Sequence, residues 1–173
     1  MENDVVLAQQ GDKKAFIRII KSVEKSLYYV AKSMLTADSD CMDAAQEAIL
    51  KAYQPIAALK EPKYFKTWIT RILINECHNI LRKNKKIVMM DDIREQAIEH
   101  KMGDFVDLEN AMELLEENYK VVITLHYIND LSIQEISTML GIPEGTVKSR
   151  LNRARKKLGT LLDVDHEEGR VQL

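Results

Sequence analysis

The chain has 173 residues, 46% hydrophobic and 30% charged, with a formal net charge of −2. That length accommodates one domain or two small ones, and no segment approaches the ~18 consecutive apolar residues of a membrane span. Cys41 and Cys77 form no CxxC spacing; they argue for a reducing cytoplasm over a disulfide scaffold, and adjacent Cys77 and His78 diverge too far on a helix to share zinc.

Asp4 is expected to cap a first short helix through Val5, Val6 and Leu7, which ends near Gly11. Asp12 then caps a longer helix whose apolar stripe is Phe16, Ile19, Ile20, Val23, Leu27, Val30 and Met34. A stripe that long and regular is a core face. After a polar break at 36–40, the stretch DAAQEAILKAYQPI predicts a third helix. It is expected to bury Ala45, Ile49, Ala52, Tyr53 and Ile56 and to expose Asp43, Gln46, Glu47 and Lys51. Pro55 and Pro62 bracket a short connection.

A fourth helix comes next in YFKTWITRILINECHNILRKNKK. Phe65, Trp68, Ile69, Ile72, Leu73 and Ile80 anchor it, while Arg71, Asn75, His78, Asn79 and Arg82 share a polar face. Lys83, Lys85 and Lys86 extend that face with positive charge. Amides and cations on one side of a helix, with Tyr64, Phe65 and Trp68 near its start, suit the holding of single-stranded DNA. For Phe65 and Trp68 a place in the core is the better fit. The residues 87–107 are rich in carboxylates and show no sustained period, so they read as a flexible acidic linker. From Leu108 a helical pattern resumes through Ala111, Met112, Leu115, Tyr119, Val122, Leu125 and His126.

The stretch LSIQEISTMLGIPEGTVKSRLNRARKKL carries the most information. Ser132 with Glu135 three residues on is a capping box, Gly141 a helix stop, and Pro143 a first-turn residue. These are the marks of a helix-turn-helix. In the second helix Val147, Leu151, Ala154 and Leu158 must pack inward. Gly145, Ser149, Asn152 and Lys156 lie opposite, flanked by Lys148, Arg153 and Arg155, with no carboxylate from there to the end of the basic run. Such a surface can offer donors to base edges and phosphates in a major groove. After Leu162 the chain is polar and expected to fray. No phosphate-binding loop, HExxH or activated nucleophile occurs, so no enzyme is expected.

On these residues the chain resembles the extracytoplasmic-function subgroup of the bacterial sigma-70 family, over nearly its whole length. DAAQEAILKAY is similar to the segment that grips the clamp helices of RNA polymerase. FKTWITRILINECHNILRK is similar to the segment that opens and reads the minus-ten element. The helix-turn-helix is similar to the one that binds the minus-thirty-five element. The resemblance implies an all-α fold of two small helical domains joined by a flexible acidic linker, the C-terminal one a helix-turn-helix (winged-helix-like) domain. The expected boundaries are 1–86, linker 87–107, 108–163 and tail 164–173.

It further implies polymerase contact through Asp43, Gln46 and Glu47. Minus-ten contact falls to Arg71, Asn75, Asn79, Arg82 and Lys83, with Asn75 at the pocket for a flipped base. Minus-thirty-five contact falls to Thr146, Lys148, Ser149, Asn152, Arg153 and Lys156. Two positions depart from the family pattern: Asn79 stands where many members have Asp, and Glu116 where members often have Pro. The partners implied are core RNA polymerase (beta and beta-prime subunits), promoter DNA and an anti-sigma factor, often membrane-anchored. No cofactor, metal or small-molecule substrate is expected, and the location expected is cytoplasmic. The competing reading is a helix-turn-helix regulator that acts without being a polymerase subunit.

Overall fold

The computed structural model describes residues 1–88 and 108–168. Of the stretch expected as an acidic linker, only Ile87 and Val88 lie within the described residues, as the end of a helix; the remainder falls outside them. The elements before the helix-turn-helix are α1 (Glu2–Gln9), α2 (Lys13–Lys32), α3 (Asp38–Tyr53), 3-10 turns at Pro55–Ala58 and Pro62–Tyr64, α4 (Phe65–Val88), α5 (Leu108–Glu113) and α6 (Glu117–Ile123), of which α5 and α6 belong to the second unit. A π-helical turn at Thr124–Ile128 leads into α7 (Ile133–Leu140) and α8 (Glu144–Glu168). No strand occurs among the described residues.

Local chemistry sets the first two boundaries. Asp12 caps α2 by accepting from the Lys14 and Ala15 amides at 2.8 and 3.1 Å, and Gly11 turns the chain with φ of 96°. Asp4 does not cap α1, which already begins at Glu2; its carboxylate instead pairs with Arg18 across to α2. The α2 stripe is buried as its spacing demands, with Ile20 only partly so.

On α3 the buried side is Cys41, Ala44, Ala48 and Ala52, a row of small side chains that lets α4 and α2 approach closely. The expected set was rotated from this. Ala45 and Ile49 are only half-buried, and Tyr53 is 43% exposed with its ring edge-on to Phe16. Volume decides the orientation here: a helix pressed between two neighbours turns its alanines inward and leaves larger residues at the flanks. α4 buries Phe65, Ile69, Leu73, Ile74 and Cys77, together with the polar Thr70 and Glu76. Burial pushes the Cys77 thiol up to about 12, so it stays protonated and inert at neutral pH.

The second unit departs from the continuous helix that its periodicity predicts. Glu116 is extended (φ −62°, ψ 144°) and starts α6 anew. Within 124–128 the helix widens, so that the Asn129 amide bonds the Thr124 carbonyl at 3.2 Å. A π turn inserts one extra residue and re-aims the segment after it. Both halves of the capping box form: the Glu135 amide donates to Ser132 Oγ at 3.2 Å and the Ser132 amide to Glu135 Oε2 at 2.9 Å. Gly141 takes the left-handed conformation (φ 66°) that ends α7. α8 continues to Glu168, beyond Leu162 where fraying was expected; no Pro or Gly interrupts 160–168.

The two units pack on one another, and their buried residues form one cluster from Val5 to Ala154. The re-aimed Asn129 is the centre of this contact. Its Nδ2 donates to Thr70 Oγ1 at 3.1 Å, both residues being buried. Lys66 Nζ donates to the Ile128 carbonyl at 3.0 Å and lies 3.4 Å from Asp130 Oδ2, while Thr67 Oγ1 reaches Glu135 Oε1 at 3.4 Å.

Candidate nucleic-acid and polymerase interfaces

Three surfaces collect the residues singled out from the sequence. On α8, Val147 and Ala154 are fully buried and Leu151 nearly so, which fixes the opposite side outward. Lys148, Ser149, Asn152, Arg153 and Lys156 are all exposed, and Thr146 and Arg150 are half-buried. The side chains of Lys148, Asn152, Arg153 and Lys156 engage no partner within the described residues. Ser149 Oγ donates to the Thr146 carbonyl at 3.0 Å, which leaves its lone pairs outward. Lys157 is different: it pairs with Glu116 and lies 5.0 Å over the Tyr119 ring, tying α8 to α6. Position on the helix thus sorts the cations into one that holds the domain and several free for phosphates.

On α4, Arg71, Asn75, His78, Arg82 and Lys83 are exposed along one side. Phe65 is fully buried and Trp68 half-buried, their ring centroids 6.0 Å apart, so Phe65 belongs to the core. Tyr64 is 49% exposed with Lys63 4.9 Å from its ring. Asn79 stands apart from the rest of its group. It is half-buried, donates to Glu76 Oε2 at 3.2 Å and accepts from Arg82 Nη2, so both ends of its amide are used inside the protein.

On α3, Asp43, Gln46 and Glu47 are exposed in a row. Between and beside them stand residues that the sequence pattern did not single out: Leu50 is 68% exposed and Met42 53%. Leu50 lies four residues after Gln46 and three after Glu47, so helical spacing alone places it on that surface. An apolar centre rimmed by carboxylates and an amide is the anatomy of a protein-protein contact. Across an open groove of about 1160 Å³ the facing wall is α4, with Asn79, Arg82 and Lys83. One side of the groove is acidic and the other basic.

Glu76, on the floor of that groove, is 9% exposed. Burial works against its charged form, but the hydrogen bonds from Lys51 (2.8 Å) and Asn79 outweigh it and hold the carboxyl below its ordinary range. Lys51, bonded to Glu76 and 3.3 Å from Glu47, is correspondingly raised. No cluster of three or more metal-ligating side chains occurs among the described residues, and no described helix is long and apolar enough to cross a membrane.

The fold is thus that of an all-α protein ending in a helix-turn-helix. Residues 15–87 match Sigma-70 region 2 and residues 105–158 match Sigma-70, region 4. SigV of Bacillus subtilis is 32% identical over 151 residues, covering 86% of this chain and 91% of that protein. The extracytoplasmic-function (ECF) sigma factor SigW of the same organism is 30% identical over 168 residues, covering 87% and 90%. Among solved structures, the sigma factor RpoE of Bartonella quintana, in complex with the anti-sigma factor NepR, superposes with a TM-score of 0.69 at 27% identity, covering 88% of this chain and 99% of that one. The chain belongs to the sigma-70 family of RNA polymerase sigma factors, in its extracytoplasmic-function subgroup. It is not an enzyme, and its family role is to direct RNA polymerase to promoters.

Proposed function

We propose a division of labour among the three surfaces. Residues 1–86 hold core polymerase through Asp43, Gln46 and Glu47, with Met42 and Leu50 as the apolar centre, and engage the minus-ten element through Arg71, Asn75, Arg82 and Lys83, with Asn79 beside them. Residues 108–163 bind the minus-thirty-five element through Thr146, Lys148, Ser149, Asn152, Arg153 and Lys156. The observation that carries the reading is α8: one side is locked into the core while free cations and an amide line the other.

The elements are named about 25 base pairs apart, or about 85 Å of duplex at ~3.4 Å per pair. As packed here, Asn75 lies about 7.5 Å along α4 from Thr70, and Thr70 touches a unit whose longest element, α8, is about 37 Å from end to end. The recognition residues therefore lie within about 50 Å of Asn75, side chains included, well short of that spacing. The packed arrangement suits the free factor, and the two units part to span a promoter. A lone helix-turn-helix binds weakly and loses affinity steeply with salt; sharing polymerase with a second DNA contact raises its effective concentration. The complex of the Bartonella relative with NepR supports control of this chain by an anti-sigma factor, and the family setting supports a cytoplasmic location.

Two substitutions test the division. Arg153→Ala should abolish promoter-specific run-off transcription while core polymerase binding persists, and Glu47→Ala should weaken polymerase binding while leaving α8 intact. Equal loss of both functions in both variants would contradict separate surfaces.

A further inference from the structure

Lys51, exposed on α3, the buried Glu76 and the half-buried Asn79 connect the two binding surfaces. Lys51, on α3, lies 3.3 Å from Glu47 and 2.8 Å from Glu76 Oε2. The same Glu76 oxygen accepts from Asn79 Nδ2 at 3.2 Å, and Asn79 Oδ1 accepts from Arg82 Nη2. Arg82 Nε is also held, at 3.3 Å, by the His78 carbonyl. The chain of contacts runs without a gap from the polymerase-facing side of α3 to a guanidinium on the strand-facing side of α4.

Each link has a defined polarity. A carboxylate accepts only, so Asn79 must turn its NH₂ to Glu76, and its carbonyl is then left for Arg82. A buried carboxylate without its donors is costly, so Glu76 enforces that orientation. Arg82 is bound on its inner edge by two acceptors from α4 itself, which directs its remaining N–H groups outward. A flexible cation has been turned into a fixed fork, the form in which arginine recognises phosphate best.

We propose that Lys51, Glu76 and Asn79 are positioning residues that hold Arg82 in register for the unpaired minus-ten strand, anchored on the helix that docks core polymerase. Asn79 acts through Arg82 and does not itself touch DNA. The proposal rests on the reading of Arg82 as a strand contact given above. It also accounts for an amide at position 79: an aspartate there would oppose the Glu76 carboxylate at close range.

The test uses holoenzyme reconstituted with core polymerase and a fork-junction promoter whose minus-ten segment is single-stranded. Asn79→Ala should weaken fork binding roughly tenfold, the scale of a hydrogen bond to a charged group. Core polymerase affinity should stay within about twofold. In an Arg82→Ala background the same substitution should have no further effect, because a residue that acts through another is silent once that other is gone. Lys51→Gln, at the exposed end of the chain of contacts, should give a smaller loss that Arg82→Ala likewise masks; it serves as the second variant should Asn79→Ala lower stability. Undiminished loss from Asn79→Ala in the Arg82→Ala background would overturn the proposal by making Asn79 an independent contact. Arg82→Ala active and both other variants silent would overturn the relay alone. A silent Arg82→Ala would overturn the strand contact on which it rests.

Discussion

Leu50 offers the most direct quantitative check on the polymerase contact proposed for α3. A leucine 68% exposed on a helix otherwise packed by alanines contributes little to the fold. Truncation to alanine removes three carbons, worth about 2.4 kcal/mol at ~0.8 kcal/mol per buried methylene. Since about two-thirds of the side chain is open to a partner, about 1.6 kcal/mol is at stake on binding, roughly a fifteenfold rise in Kd. The same reasoning for Met42, 53% exposed, gives about 1.3 kcal/mol, roughly ninefold. The two residues are eight positions apart, about 12 Å along the helix, so their effects should add to about a hundredfold. Ile17 on α2 is also 53% exposed and lies outside this surface, so Ile17→Ala is the matched control. The assay is equilibrium binding of labelled chain to core polymerase, with thermal unfolding of each variant measured alongside, since alanine at an exposed helix position is neutral or slightly favourable. Leu50→Ala within twofold of the parent, or Ile17→Ala as damaging as Leu50→Ala, would refute the reasoning.

Three further outcomes are expected from the fold. Ser132→Ala removes one half of the capping box and should cost about 1 kcal/mol, a fall of about 2–4 °C in Tm for a chain of this size; an unchanged Tm would contradict it. Because Glu76 is held below its ordinary range, its pairing contributes stability above the unfolded carboxyl pKa and loses it as pH falls through the lower folded value. Glu76→Gln should therefore be about 1–3 kcal/mol less stable near neutral pH, with the difference from the parent shrinking in acid; a pH-independent difference in urea denaturation would sink this account. Thr70→Val leaves both ends of the buried Asn129 amide unpaired, Oδ1 already having no hydrogen-bond partner among the described residues. It should loosen the packing of the two units by about 1–3 kcal/mol, seen as a larger radius of gyration in solution scattering; an unaltered radius would argue against Asn129 as the centre of the contact.

Much of this was legible in the sequence where the signal was local. The Asp12 cap, the Ser132–Glu135 box, the Gly141 stop and the inward register of α8 each depend on a few neighbouring residues, and each formed as expected. The features that escaped depend on distant partners. Asp4 had a capping residue's chemistry, but Arg18 on the next helix claimed it. Alanines, neutral in a periodicity count, took the buried side of α3 because two helices press on it; Leu50 differs, its place being legible locally from its spacing to Gln46 and Glu47. The π turn has no sequence signature of its own; it forms where Asn129 gains a partner on α4. Glu76 carries no local signal either; its place depends on Lys51, 25 residues away on α3, and on Asn79.

The central claim, that this chain confers promoter choice on polymerase through two DNA contacts, is most directly tested by run-off transcription with purified core polymerase on genomic fragments, with start sites mapped. Defined starts are expected that require both components and share two sequence elements upstream, at the minus-ten and minus-thirty-five positions. Starts unchanged from core polymerase alone, with tight sequence-specific DNA binding by the isolated chain at physiological salt, would contradict it.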